Sequence, residues 1–251
     1  MYFYLFWRLC RFIFTTIYAN MGKQLTTVLA AALLLAFCLP IALMAQDKPK
    51  EKDIAAWIGA TLRTDITKRL SVSVGQQVRL SNKLAEVNSN ITEVETQYAL
   101  LKWLDVSAIY RFTQRPAADA ENKHRLYGVI DGTYRIKPLK LELGLRFRAE
   151  REWTVNTGET ENDLRPRVSL VYKRKKWPVS PGVSAELFYI KTNEDSAFTF
   201  GRYRLRADLD AEISKRHDVS AFYTYQNEEK NKRIDVTHIV GLSYRYSLSF
   251  K

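Results

Sequence analysis

The sequence predicts an all-β protein, an antiparallel transmembrane β-barrel of about 10–12 strands. Three observations predict this fold. From Asp53 onward, apolar and polar residues alternate one by one, the alternating segments are long, and connections of two kinds join them. An apolar segment that precedes them has the features of an export signal.

The first 52 residues divide into three expected parts. Residues 21–45 are a predicted signal peptide, because Lys23 precedes the apolar run from Thr26 to Ala45 and a small residue ends it. Residues 1–20 come before a second methionine and are interpreted as an upstream mis-start. Residues 46–52 are a short periplasmic lead, and residues 53–251 are the barrel. The alternative for the apolar run is a membrane-anchor helix, since about 18 apolar residues suffice to span a bilayer.

Cleavage after Ala45 would change the chemistry that remains. Cys10 and Cys38 are both removed, so the mature chain is expected to have no disulfide and no thiolate. Three basic residues and no acidic residue are removed with them, so the net charge falls from +12 to +9. A positive charge is often a sign of nucleic-acid binding. Its distribution along strands accounts for it better, and no nucleic-acid partner is expected.

The segment from Leu139 to Arg151 shows the alternation most clearly. Leu141, Leu143, Leu145, Phe147 and Ala149 alternate with Glu142, Gly144, Arg146, Arg148 and Glu150. Successive side chains of a strand face opposite sides of the sheet, so one face is apolar and the other polar. The alternative, a soluble β-sandwich, would have shorter strands and more glycine-rich turns. Strands are predicted near 54–64, 69–80, 92–101, 105–114, 123–136, 139–151, 163–173, 182–191, 199–213, 218–227 and 234–250.

The connections alternate between short and long. Short basic turns are predicted at 67–69, 137–138, 173–176 and 215–217, and longer polar links near 81–90, 115–122, 152–162, 192–198 and 228–233. This is typical of periplasmic turns and extracellular loops in an outer-membrane barrel. Such barrels normally have an even strand number, so about ten or twelve strands are expected. Segment 54–64 would then lie outside the barrel, or one strand is missed or merged; an odd barrel closed by a parallel pair is the rare alternative.

The C-terminal segment carries the most specific motif. A glycine is followed by alternating aromatic or apolar residues: Gly241, Tyr244, Tyr246, Leu248 and Phe250. This pattern resembles the signal by which the barrel-assembly machinery recognises its substrates, except that Lys251 follows the last aromatic residue. Tyrosine and phenylalanine near strand ends also suit the aromatic girdle at a membrane interface. The expected location is the cell outer membrane, with that machinery and outer-membrane lipid as partners.

The polar faces of consecutive strands predict a charged lumen. Arginine at the bilayer midplane costs about 2–4 kcal/mol on the lipid face, so these charges are expected inside. One interpretation is a salt-bridge lattice that fills a narrow lumen, and the other is a binding site or constriction for an anionic solute. The predicted field comprises Glu142, Arg146, Arg148, Glu150, Arg165, Arg167, Glu186, Arg202, Arg204, Arg206, Asp208 and Asp210.

Catalytic chemistry has little support in the sequence. His124 and His217 lie beside predicted connections, and His238 lies on the apolar face of the last strand. None has a serine two residues later, the spacing that would put both on one face of a strand, and Ser220 is three residues from His217. There is no metal-ligand spacing and no glycine-rich phosphate loop, so we expect no enzyme, cofactor or metal.

Several short motifs together resemble a known family. They are Trp57, Tyr110-Arg111, His124-Arg125, Arg146 to Glu150, Arg165-Pro166-Arg167, Pro181, Ala185 to Phe188 and Arg202-Tyr203-Arg204. The chain resembles the family of Gram-negative outer-membrane barrels catalogued only as a domain of unknown function. The resemblance covers nearly all of the mature chain. It implies a barrel and supplies no substrate, cofactor or catalytic residue.

Three functional hypotheses follow. The first is a narrow channel or transporter component for small anionic solutes, with the lumenal arginines setting selectivity. The second is a plugged structural or scaffold barrel that acts through its loops or partners. The third is a lipid-modifying enzyme on the barrel wall, for which the sequence offers the least support.

Overall fold

The computed structural model describes residues 50–116, 121–173, 177–192, 197–230 and 233–249. The predicted mis-start and signal peptide lie outside these residues, as does most of the predicted lead. The described residues form eleven strands and one short 3-10 turn, Lys137–Leu139, and none of their helices is long and apolar enough to cross a membrane. The strands are β1 (Lys50–Asp65), β2 (Leu70–Ser81), β3 (Glu86–Leu101), β4 (Leu104–Gln114), β5 (Lys123–Ile136), β6 (Leu141–Thr154), β7 (Thr160–Tyr172), β8 (Val179–Lys191), β9 (Thr199–Ser214), β10 (His217–Lys230) and β11 (Arg233–Ser249).

The strands close into one barrel in chain order. Each strand pairs antiparallel with its neighbours in the chain, and β1 closes the barrel by pairing parallel with β11, from Lys50 opposite Ile234 to Asp65 opposite Ser249. The all-β barrel is therefore confirmed, and every predicted strand segment corresponds to one strand. The count of eleven in the described residues lies between the ten and twelve expected. Segment 54–64 belongs to the wall, because it pairs with β2 on one side and with β11 on the other. The parallel pair with β11 is only slightly less stable per residue than an antiparallel pair.

The two faces of the wall differ in polarity, and the apolar face is the exposed one. In β6, Leu145 is 39% exposed and Phe147 is 46% exposed, whereas Glu150, which lies on the other face of the same strand, is 6% exposed. Alternate residues of a closed barrel face inward and outward. The outer face is therefore apolar and the inner face polar, the inverse of a water-soluble β-protein.

The connections lie at two ends of the barrel. We call the end with 66–69, 102–103, 137–140, 177–178 and 215–216 the turn rim, and the end with 82–85, 121–122, 155–159 and 197–198 the loop rim. The loop-rim connection 82–85 is much shorter than the predicted link near 81–90, and β10 extends to Lys230, inside the predicted link near 228–233.

The tight 82–85 turn has a clear physical basis. Its residues Asn82, Lys83 and Leu84 have positive φ angles of 51°, 56° and 71°. The Asp53 carboxylate accepts hydrogen bonds from the backbone N–H groups of Asn82 (3.2 Å) and Lys83 (2.9 Å), which holds this left-handed turn against the start of β1. A sequence pattern of polar residues does not reveal such a contact.

Aromatic side chains also point into the barrel. Phe222 of β10 packs with Ala55, Ile239 and Trp57, while Tyr127 of β5 packs with Ile109 and Val129. Gly241 of β11 lies directly opposite Phe222 in the strand register. A Cβ atom on Gly241 would be 2.1 Å from the Phe222 ring, so the glycine makes room for this aromatic residue.

Candidate functional site

The seam between β6 and β7 places like charges directly opposite one another. Such pairs are destabilising in a sheet, so each charge needs a partner on another strand or on a diagonal. The basic half of the seam lies nearer the turn rim and the acidic half nearer the loop rim. The four pairs are Arg146 with Arg167, Arg148 with Arg165, Glu150 with Asp163 and Glu152 with Glu161.

Arg165 is the central bridge of this seam. Its Nη1 atom lies 3.0 Å from Glu150 Oε1, and its Nη2 atom lies 3.1 Å from Glu186 Oε1 on β8. The guanidinium also lies 4.1 Å from the centre of the Phe188 ring. Only 5% of the Arg165 side chain is exposed, so the guanidinium is held in a desolvated site by two carboxylates and an aromatic face.

The acidic half of the seam is neutralised from β5. Arg125 Nη1 lies 2.9 Å from Glu150 Oε1, and Arg125 also forms a two-point ion pair with Glu152. Lys123 Nζ lies 2.6 Å from the second oxygen of Glu152. The ion pairs therefore run without a break from β5 through β6 and β7 to β8.

From β8 the lattice crosses the lumen. Arg204 of β9 lies 3.8 Å from Glu186 and donates a hydrogen bond of 2.7 Å to Gln226. Its guanidinium lies 5.3 Å from the centre of the Trp57 ring, although two strands separate β9 from β1 in the wall. Arg79 of β2 lies 4.0 Å over the same ring. Side chains from separated parts of the wall thus meet inside the barrel.

Three arginines in the middle of the lumen lack an ion pair in the described part of the chain. Among the described residues, no carboxylate oxygen lies within 4.0 Å of the guanidinium groups of Arg79, Arg148 or Arg167. Arg79 donates to Gln77 at 2.7 Å, and Arg148 lies 4.7 Å from the centre of the Tyr127 ring with its Nε atom buried and unpaired. These arginines therefore place positive charge in the lumen without a contacting carboxylate in the described residues.

The other residues of the predicted field form separate pairs. Arg146 bonds Asp131 at 2.7 Å, Arg202 bonds Glu228 at 2.7 Å, and Arg206 bonds Asp208 at 2.5 Å. Glu142 and Asp210 lie toward the turn rim; Glu142 pairs with Arg135 at 3.0 Å and Lys173 at 3.6 Å, and Asp210 is in register with Ser180 and Ser220. The structure thus brings Glu150, Arg165, Glu186 and Arg204 into one lattice, places Arg148 and Arg167 beside it without an ion pair in the described residues, and leaves these two acids outside it.

Several members of the site were missed in the sequence. Arg111 and Tyr127 both donate to the same oxygen of Glu93, at 2.7 Å and 2.5 Å. Arg79, Trp57 and Phe188 also line the centre of the lumen. All of these residues alternate with outward-facing residues along their strands, and this alternation could have identified them as inward-facing. Only the strand register shows which inward side chains contact one another.

The three histidines lie on the outer face, each bonded to a tyrosine on the next strand. The Nδ1–Oη distances are 2.6 Å for His124 with Tyr110, 2.6 Å for His217 with Tyr244, and 2.7 Å for His238 with Tyr223. Trp153 stacks on His124 at 5.6 Å. In the described part of the chain, no cluster of histidine, cysteine and acidic side chains could hold a metal ion.

The C-terminal motif divides between the two faces. Tyr244, Tyr246 and Leu248 alternate on the outer face of β11, whereas Gly241 lies on the inner face beneath Phe222. Phe250 lies outside the described residues. The glycine of the motif therefore has a packing role of its own.

Comparison with known proteins agrees with the resemblance seen in the motifs. No curated protein matches the chain. The model of one family, described as "Protein of unknown function (DUF2490)", matches residues 54–237. That range is more than half of the chain and contains every motif that carries the resemblance, from Trp57 to Arg204. The chain therefore belongs to the DUF2490 family.

Proposed function

We propose that the chain is a transmembrane barrel of a Gram-negative outer membrane, exported by its signal peptide, whose narrow lumen binds and passes small anionic solutes. Two independent features support this proposal. The outer wall is suited to lipid, and three lumenal arginines have no carboxylate within ion-pair distance in the described residues. A lipid-facing wall does not require an anion-binding lumen, and an anion-binding lumen does not require a lipid-facing wall.

The outer wall has the composition of a lipid-facing surface. Strands of 11 to 17 residues are long enough for the roughly 9–11 residues that cross a bilayer at a tilt. Aromatic side chains lie near both rims, as in the girdles of membrane barrels. They include Tyr98, Tyr134 and Tyr244 toward the turn rim, and Tyr110, Phe112, Trp153 and Tyr189 toward the loop rim. The exposed residues between them include Ile58, Val94, Leu126, Ile130, Leu145, Phe147, Leu205, Leu209 and Leu242.

The assignment to anions depends on lumenal arginines that have no carboxylate partner in the described residues. Arg79, Arg148 and Arg167 have no carboxylate within ion-pair distance in the described residues, and Arg204 is 3.8 Å from its nearest carboxylate. Arginine rings in a pore favour anions, and a guanidinium group recognises carboxylate and phosphate oxygens through paired hydrogen bonds. A solute with one or two carboxylate or phosphate groups could bind these arginines in the way that the Glu150 and Glu186 carboxylates bind Arg165.

A second candidate is a closed barrel that acts as a scaffold. It is favoured by the contacts between Arg204, Trp57 and Arg79, which join separated strands across the lumen. A barrel of about eight strands is filled by its own side chains, whereas 16 or more strands leave a water channel. Eleven strands fall between these sizes. The barrel would then act through its rims and through partners.

Single-channel conductance of the mature chain, refolded in a planar bilayer, separates the two candidates. A salt gradient across the bilayer gives the reversal potential and hence the preferred sign of ion. Current steps with an anion-shifted reversal potential support the pathway. A folded, heat-modifiable barrel without current supports the scaffold, and failure to insert into lipid would contradict both.

The assembly machinery is proposed as a partner through the C-terminal strand. The test is the rate at which a chain with Tyr244 and Tyr246 replaced by serine inserts into the membrane, and this rate should be slower than that of the unchanged chain.

A further inference from the structure

A groove of about 710 Å³ lies on the outer wall near the loop rim. Ala108, Gly128 and Ala149 lie directly opposite one another on β4, β5 and β6 and form its floor. Nothing lies within 4 Å of the position that a Cβ on Gly128 would take. Leu126, Leu164 and Phe198 line its sides. The groove exists because three neighbouring strands present small residues where the rest of the outer face presents large ones.

A polar row borders the groove on its loop-rim side. Arg151, Asn162 and Lys191 lie directly opposite one another on β6, β7 and β8, in the row next to the floor residues. All three line the groove. On the lipid face of a barrel, a basic residue costs about 2–4 kcal/mol at the midplane and about 0–1 kcal/mol near the interface. The row therefore indicates the level at which lipid head groups begin.

The groove thus joins an apolar slot to a pair of cations on one face of the wall. Trp153, two residues beyond Arg151, lies in the next row toward the loop rim, at the level where aromatic girdles contact head groups. Lysine and arginine bind phosphate oxygens, arginine through two parallel N–H donors. A phosphate at Arg151 and Lys191 would place an attached acyl chain over Gly128 and Ala149.

We propose that this groove binds a membrane lipid with a phosphate-bearing head group, with the phosphate at Arg151 and Lys191 and one acyl chain over Gly128 and Ala149. The inference rests on the membrane location proposed above, but not on conduction of anions. The charge of the polar row selects an anionic head group over a zwitterionic one, and the apolar floor selects a lipid over free phosphate. This site lies on the opposite face of the wall from the lumenal lattice.

The test is lipid binding to the full chain, folded in uncharged detergent micelles, followed by native mass spectrometry. Phosphatidylglycerol is compared with phosphatidylcholine carrying the same acyl chains, and inorganic phosphate is added as a competitor. We expect one phosphatidylglycerol per barrel, bound about tenfold more tightly than phosphatidylcholine. Equal binding of the two lipids, or displacement of the lipid by inorganic phosphate, would overturn the proposal.

Variants separate the two halves of the site. The double change Arg151→Gln and Lys191→Gln should weaken phosphatidylglycerol binding about tenfold and leave phosphatidylcholine unchanged. Gly128→Leu, or Ala149→Leu as a second variant, should weaken binding of both lipids by filling the slot. Ala60→Leu, an exposed outer-face alanine on β1, is the matched control and should change neither.

The outcomes also distinguish this proposal from the proposed function. A barrel that inserts into vesicles but binds both lipids alike contradicts the lipid site only. A barrel that inserts into no vesicle contradicts the membrane location, and this site with it. A dimer that forms without lipid and is lost in Ala149→Leu would show that a second copy fills the groove, and would overturn the proposal.

Discussion

Arg148 and Arg165 lie directly opposite each other on β6 and β7, yet only Arg165 has carboxylate partners in the described residues. Each guanidinium lies against an aromatic ring and each has a buried Nε atom without a hydrogen-bond partner, but Arg165 is also bound by Glu150 and Glu186. Arg165 therefore joins β6, β7 and β8 through its ion pairs. Under the proposed function, Arg148, which has no such pair in the described residues, contacts a solute.

Replacing Arg148 and Arg167 together by glutamine should reduce the anion preference of the lumen. Neither arginine has a carboxylate within ion-pair distance in the described residues, so their loss removes positive charge without breaking an ion pair there. The measurement is the reversal potential in a salt gradient. Arg135→Gln at the turn rim is the control. Unchanged selectivity with intact conductance would contradict the assignment to anions.

Replacing Arg165 by glutamine should destabilise the barrel. Removing one partner of a buried ion pair costs about 3–5 kcal/mol, and the lower end applies because Arg125 still contacts Glu150 and Arg204 still lies near Glu186. Tryptophan fluorescence during urea unfolding in micelles measures the free energy of unfolding.

The control for Arg165 is Arg135, which pairs with Glu142 near the turn rim. The Arg135 side chain is 61% exposed, so Arg135→Gln should cost about 0–1 kcal/mol. Equal losses in the two variants would mean that the lattice contributes no more to stability than a surface ion pair.

Gly241→Val should lower the stability of the folded barrel by about 1–3 kcal/mol, the range for overpacking. The Phe222 ring occupies the space of the new side chain, and the Arg206 guanidinium lies 3.7 Å from the centre of that ring, which restricts its movement. Gly128→Val is the matched control, since Gly128 has open space around its Cβ position. The shift of the heat-modified band on a gel compares them. A Gly241 variant as stable as the Gly128 variant would show that Phe222 moves aside freely.

The parallel closure predicts a specific cross-link. Ile58 of β1 lies directly opposite Leu242 of β11, and both side chains are exposed on the outer face. In the mature chain, Ile58→Cys with Leu242→Cys should be joined by a short thiol reagent, because neighbouring strands lie about 4.8 Å apart. Ile58→Cys with Leu205→Cys on β9 is the control and should stay unlinked. A link in neither pair would indicate a barrel closed without β1.

The strands were predictable from the sequence, but their partners were not. In β6 the alternation from Leu141 to Glu150 fixes both the strand and its two faces, because the side-chain period of a strand is two. It does not fix the register that sets Arg125 against Glu152, nor the crossing of Arg204 to Trp57. Those contacts depend on which residues of separate strands lie at the same height.

The predicted number of strands, ten or twelve, differed from the eleven described strands for a similar reason. Hairpin connections imply an antiparallel partner for each strand, and nothing in the segment from Ile54 to Thr64 distinguishes a parallel partner from an antiparallel one. Its pairing with β11 joins the two described strands that are farthest apart in the sequence. A single-chain pattern cannot reveal such a contact.

The parallel pairing of β1 with β11 has a consequence for how the barrel assembles. Ten pairings in the described wall join neighbours in the chain and can form as local hairpins, whereas the β1–β11 pairing has no hairpin to bring it together. The entropy of closing a loop rises with its length, so this pairing is the most expensive to initiate. The wall should therefore grow as an open, curling sheet, and the two free edges should meet only in the final step of folding.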